Sequence, residues 1–180
     1  MLKTNLFCLC LLTMPTLALA KGHGEGQFKA DLTGYNEVPA VVTTGSGQVT
    51  IAVSSDQTSL NVTLNFTKLV GVAQSASLYL GLPGTIGGAV APICGTTKPA
   101  CPTTADGTVT ITLSASDVLA ITAQGLAAGD LATAIQALAN GAIYVNVITS
   151  VTGNSSQFPN GEIRGQLGRG FGFGNSGRGD

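Results

Sequence analysis

The chain has 180 residues, 44% of them hydrophobic and 9% charged, with a formal net charge of −1. It is too apolar for a disordered segment, and without a basic face it lacks the electrostatic attraction on which nucleic-acid binding rests. A single His excludes a multi-histidine metal or catalytic centre, and 25 Gly suit a turn-rich β chain of one domain.

Residues 1–20 read as a secretory signal peptide. Lys3 supplies the positive start, Leu6 and Leu12 bound a short apolar core, and Ala18-Leu19-Ala20 fits a small-x-small cleavage site. Thr13 and Pro15 interrupt the apolar run, which falls short of the roughly 20 residues a spanning helix needs. No stable membrane anchor is expected after cleavage, and the expected location is secreted, extracellular or periplasmic. Cys8 and Cys10 leave with the leader. The chain from Lys21 onward keeps seven basic and nine acidic residues, a net charge of −2, with Cys94 and Cys101 as its cysteines. In an oxidising compartment these two, with six residues between them in a loop with Gly and Pro, are expected to form a local disulfide worth roughly 2 kcal/mol.

A Gly-rich approach, residues 21–27, carries His23 and leads into alternating apolar positions. Phe28, Ala30 and Leu32 share one face, Val49, Ile51 and Val53 another, and Leu60, Val62, Leu64 and Phe66 a third. Turns are expected at Gly45-Ser46-Gly47 and Ser55-Asp56-Gln57, the second closing a hairpin. A strand follows at 75–81, then a long irregular stretch, 82–106, tied by the two cysteines. Strand pattern returns at 107–113, and Ser116-Asp117 opens a helical turn. Asp130 caps a helix of about ten residues ending at Asn140-Gly141, with Leu131, Ile135 and Leu138 on its apolar stripe. The last strands are expected at 143–149 and 162–167. The fold expected is all-β, a Greek-key-like antiparallel β-sandwich with one or two short helices.

Residues 168–180 alternate Gly with other residues and read as a flexible tail, since they offer too little apolar surface to offset ordering entropy. The terminal Arg178-Gly179-Asp180 triplet is too short to specify recognition. Asn61, Asn65 and Asn154 begin glycosylation sequons, and the first two fall in a strand, where they read as polar strand positions.

Three segments read together carry a resemblance. They are Tyr35-Asn36-Glu37-Val38-Pro39-Ala40-Val41, Tyr144-Val145-Asn146-Val147-Ile148-Thr149, and Phe158-Pro159-Asn160-Gly161-Glu162-Ile163-Arg164-Gly165-Gln166-Leu167. In this order and spacing the chain resembles the chordin-type domain, CHRD, found in animal chordin and in many secreted microbial proteins, over residues 28–167. The resemblance implies an extracellular β-sandwich module without an established catalytic activity. It also exposes departures. Relatives carry Ala-His-x-His-x-Gly and Tyr-Val-Asn-Val-His-Thr, where this chain has Ser77, Tyr79 and Ile148 at the histidine positions. Imidazole ligates metals well and Ser, Tyr and Ile do not, so no metal or other cofactor is expected. Residues two apart on a strand share a face, making Ser77, Tyr79 and Ile148 a possible ligand or packing face. Tyr there offers a broad ring with a polar tip.

Glu37, Glu162 and Arg164 are the charges within the matched segments and are expected to form structural ion pairs joining the first and last of them. Asp117 and Asp130 read as helix caps, and Asp56 and Asp106 as turn residues. With no Ser-His-Asp, Cys-His or clustered carboxylate set, the chain is expected not to be an enzyme. It reads as a secreted noncatalytic module for binding, adhesion or assembly. Its partner would be an extracellular protein, a carbohydrate or a second copy, and not nucleic acid. The alternative is a secreted enzyme or metal-binding protein with an altered site.

Overall fold

A computed structural model describes residues 26–150, 158 and 160–169. The expected leader, His23, the Asn154 sequon and all but the start of the Gly-rich tail lie outside the described residues. Among the described residues nine strands form one antiparallel sheet: β1 (Gln27–Thr33), β2 (Ser46–Val53), β3 (Ser59–Thr67), β4 (Val72–Leu80), β5 (Gly88–Cys94), β6 (Gly107–Ser114), β7 (Ile143–Ser150), β8 (Ile163–Gln166) and β9 (Gly168–Arg169). The spatial order is β5-β4-β7-β8-β1-β2-β3-β6, with β9 added beside β1. The two end strands β5 and β6 approach one another, so the sheet curls almost shut around its apolar side. The fold is thus all-β and antiparallel.

The period-2 pattern produces the core directly. Phe28 and Leu32 on β1, Val49 and Ile51 on β2, Leu60, Val62, Leu64 and Phe66 on β3, and Leu78 on β4 are all buried, while their Thr, Asn and Gln neighbours face out. On the outer face Thr108 and Thr112 of β6 donate to the Oδ1 atoms of Asn65 and Asn61 across the register, at 2.7 and 2.8 Å. The β2–β3 turn is held by Asp56, whose Oδ1 accepts from the hydroxyls of Ser54 and Thr58 at 2.6 and 2.8 Å. Asp106 accepts from the Lys68 backbone N–H at 2.9 Å, joining the β3–β4 connection to the loop before β6.

Helix α1 (Leu131–Ala139) starts at Asp130, whose carboxylate accepts from the Thr133 N–H at 3.0 Å, and ends before Gly141 at φ +70°. Nine residues are too few to stand alone in water, so its stability comes from docking. Leu131, Ala134 and Leu138 pack against Leu60, Leu78, Val90 and Leu113, leaving a void of about 10 Å³, room for no more than a single water. Among the described residues no helix is long and apolar enough to cross a membrane.

Four local expectations are corrected. The stretch 82–106 is not wholly irregular: β5 lies within it. Pro92 obscures it in the sequence, yet is tolerated because β5 pairs on one side only, with β4. Gly45-Ser46-Gly47 is not a turn, since Ser46 and Gly47 already pair with Thr33 and Leu32 of β1, and the chain reverses over the preceding residues. The sheet begins at Gln27, inside the expected Gly-rich approach. It also runs past 167: Gly168 and Arg169, the first two residues of the expected tail, pair with Lys29 and Phe28. Cys94, at the end of β5, is joined to Cys101 by a disulfide.

Candidate functional site: a polar cleft across β4, β7 and β8

The strand Ile143–Ser150 is buried along most of its length, but its two sides have different neighbours. Ile143, Val145 and Val147 belong to the core, and Tyr144, Asn146 and Ile148 face the other way. On β4, Tyr79 lies across from Tyr144, Ser77 from Asn146 and Ser75 from Ile148. On β8, Arg164 lies across from Asn146 and Gln166 from Tyr144. The register therefore sets Ser77, Tyr79 and Ile148 on one face with Ser75, Tyr144, Asn146, Arg164 and Gln166. The first three are partly exposed.

Aromatic stacking organises that face. The rings of Tyr79 and Tyr144 lie 5.2 Å apart and nearly parallel, at 12°, and the Arg164 guanidinium carbon sits 3.5 Å from the Tyr144 ring centre. The result is a stack running across three strands, with the cation on the π face of Tyr144. Tyr144 is buried, and its Oη accepts from the Gly87 N–H at 3.2 Å. Gly87 is required there: a Cβ would lie 1.6 Å from the Leu80 carbonyl oxygen. The 81–87 loop is fastened further by Arg164 Nη2, donating to Leu82 O at 3.3 Å, and by Gln166 Nε2, donating to Gly81 O at 3.0 Å.

The facing wall is the chain after β1, where a 3₁₀ turn, Gly34–Asn36, leads to Glu37. Between the walls lie two adjoining recesses of about 210 and 470 Å³, sharing Glu37, Val38 and Arg164. Tyr79, Asn146 and Ile148 line the inner one, and Asp31, Tyr35 and Gln166 the outer one. Tyr35, Leu82 and Ile86, among the most exposed large apolar side chains of the described residues at 73, 59 and 69%, stand on or beside these walls. The cleft thus has a polar floor and an apolar rim.

Glu37 is 5% exposed, and burial pushes its carboxyl up from 4.5 to about 7, even though Arg164 and the Val38 backbone N–H pull it down. Asn146 Nδ2 donates to Asn160 O at 2.7 Å and, at 3.5 Å, to Glu37 Oε2. Glu37 Oε1 and Asn146 Oδ1 have no hydrogen-bond partner among the described residues. Burial, with Tyr144 beside it, also raises the Tyr79 phenol above its ordinary range.

The expected ion pairing of Glu37, Glu162 and Arg164 is corrected by this geometry. Among the described residues the ion pair is Lys98 with Asp117. Glu37 and Arg164 share the cleft without coming into ion-pair contact, and Glu162 sits elsewhere, fully buried, among neutral donors. Its Oε1 accepts from Thr43 Oγ1 at 2.6 Å and the Val70 N–H at 2.7 Å, and its Oε2 from Thr149 Oγ1 at 2.8 Å. Neutral donors suffice because several hydrogen bonds aimed at a carboxylate stabilise it without a counter-charge.

Tyr144, Asn146 and Gln166 stand in the segments that carry the family resemblance, but the sequence assigns no site role to them or to the 81–87 loop. The signal for the first two was present, a polar residue and a Tyr alternating with valines in an otherwise apolar strand. Nothing in the sequence signalled the loop's position. Among the described residues no three His, Cys, Asp or Glu side chains converge closely enough to hold a metal ion.

No curated protein and no solved structure matches the chain. The family profile described as CHRD domain matches residues 28–167, from the second residue of β1 to the residue after β8. That span takes in both walls and the floor of the cleft, and the chain belongs to the CHRD domain family, an extracellular type of module.

Proposed function

We propose that this domain is exported, loses residues 1–20, and acts as a noncatalytic binding module whose ligand occupies the cleft between the 34–41 segment and the 81–87 loop. Glu37 carries the reading: a nearly buried carboxyl oxygen without a partner, on the floor of an open recess. An unsatisfied buried polar atom costs about 1–3 kcal/mol, a cost that a hydrogen bond to a ligand would remove. The exposed apolar side chains on the rim add contact area of the kind that binding sites use. Extracellular proteins, carbohydrates and a second copy of the chain remain the partner classes.

A panel of neutral, anionic and cationic small molecules and short oligosaccharides, titrated into the mature protein and followed by amide NMR, tests the cleft. Shifts clustered at Glu37, Tyr79, Asn146 and Arg164 support it, and shifts confined to other surfaces overturn it. Intact-mass analysis of exported protein tests processing: a chain starting at Lys21 supports it, and retained Met1 overturns it. A second reading, acid–base catalysis by Glu37, draws on the same raised carboxyl. It requires a turnover that Glu37→Gln abolishes.

A further inference from the structure

The cleft reading leaves open what chemistry the ligand brings, and the following rests on that reading. We propose that the cleft takes a carboxylate borne on a ring-sized apolar body, with Arg164 as its anchor and Glu37 as the neighbour that admits or repels it. Arg164 is 3% exposed, yet among the described residues it makes one side-chain hydrogen bond, to Leu82 O, and no ion pair. A guanidinium has five N–H donors in a planar fork. Stacking on Tyr144 occupies a face of that fork and leaves its edge, and the edge matches a carboxylate in a bidentate pair. When Glu37 is protonated the buried guanidinium has no counter-charge in the cleft among the described residues, and an incoming carboxylate would supply one.

Glu37 is the carboxyl that shares both recesses with Arg164. Ionised, it offsets the guanidinium and repels an incoming carboxylate. Protonated, its hydroxyl becomes a donor to the same ligand. Near neutral pH the two forms coexist. The other titratable groups facing Glu37 are the phenols of Tyr79 on β4 and Tyr144 on β7. Asp31 on β1 borders only the outer recess, where it accepts from Gln48 Nε2 at 3.2 Å. A cationic ligand is the less favoured occupant because Arg164 stands in both recesses. Val38, Ile86 and Tyr35 supply the apolar walls against which a ring would rest.

The test uses benzoate, neutral benzamide and cationic benzamidine, each titrated into the folded mature protein by amide NMR between about pH 6 and about pH 8. Benzoate is expected to move the cleft resonances. Its apparent affinity should fall about tenfold over that range, as the protonated fraction of Glu37 falls. Glu37→Gln, which mimics the protonated carboxyl, should retain benzoate binding at the higher pH and flatten the dependence. Arg164→Met should abolish binding if it folds; the Glu37→Gln profile decides the matter if it does not. Benzoate binding that is independent of pH, or cleft shifts with benzamidine or benzamide and none with benzoate, overturns the inference while leaving the cleft as a ligand site. No cleft shift with any of the three overturns the inference, and the cleft reading then stands or falls on the wider panel.

Discussion

Replacing Glu162 by Ala removes the group that ties three separated segments together. Four donors converge on its carboxyl oxygens: the hydroxyl of Thr43 before β2, the backbone N–H groups of Val70 and Gly71 between β3 and β4, and the hydroxyl of Thr149 on β7. The two hydroxyls can rotate toward other acceptors. The Val70 N–H, 2.7 Å from the carboxylate, is fixed by the backbone and loses its acceptor, at about 1–3 kcal/mol. Adding the lost charge-assisted bonds, less the desolvation of a carboxylate that is no longer buried, gives about 3–5 kcal/mol. A domain of this size is expected to be stable by only about 5–15 kcal/mol, so the loss is large. Glu162→Gln keeps one acceptor oxygen for Thr43 and Val70 but turns an amide toward the Gly71 N–H, and should cost about 1–2 kcal/mol. Urea unfolding followed by fluorescence or circular dichroism should show midpoints falling in the order parent, Gln, Ala, with unchanged slope. If Ala costs less than about 1 kcal/mol, or no more than Gln, the convergence of donors on Glu162 is not what holds these segments.

Because the Glu37 carboxyl is raised from 4.5 to about 7, the folded state holds a proton there that the unfolded state has released, so stability should fall as pH rises through that window. Water reaching the cleft screens the effect to about 1–2 kcal/mol, and Glu37→Gln should remove the slope; a parent whose unfolding midpoint rises over the same window contradicts the burial argument. Gly161 has φ +129°, and a Cβ there would lie 2.0 Å from Asn146 Oδ1. Gly161→Ala should therefore cost about 2–4 kcal/mol and shift the Asn146 side-chain amide resonances, whereas an unperturbed spectrum would show that the turn relaxes freely. Replacing Cys94 and Cys101 together by Ser should lower stability by about 2 kcal/mol from loop-closure entropy, and a midpoint equal to that of the oxidised parent would exclude such a contribution.

The parts of this protein legible in its sequence are those set by local periodicity. Alternating Val, Ile, Leu and Phe against Thr and Asn mark β1, β2, β3 and β6, because each strand buries one face and the pattern repeats every two residues. Asp130 and Gly141 mark the ends of α1, because capping and left-handed exit depend on neighbours in the chain. The motif residues Glu37, Glu162 and Arg164 also stand out, as sparse charges in an apolar chain. Their roles do not follow from that, because charge alone suggests mutual pairing and only the tertiary structure decides which donors reach them. It sends Glu162 to Thr43, Val70 and Thr149, and stacks Arg164 on Tyr144. It leaves Glu37 in a cleft whose other wall, the 81–87 loop, lies more than forty residues along the chain. Strand β5 was hidden for a related reason: Pro92 is compatible with a strand only at the sheet's edge, and edge position is a property of the assembled sheet. Periodicity is written residue by residue, whereas a cleft and its electrostatics arise from antiparallel registers between distant segments.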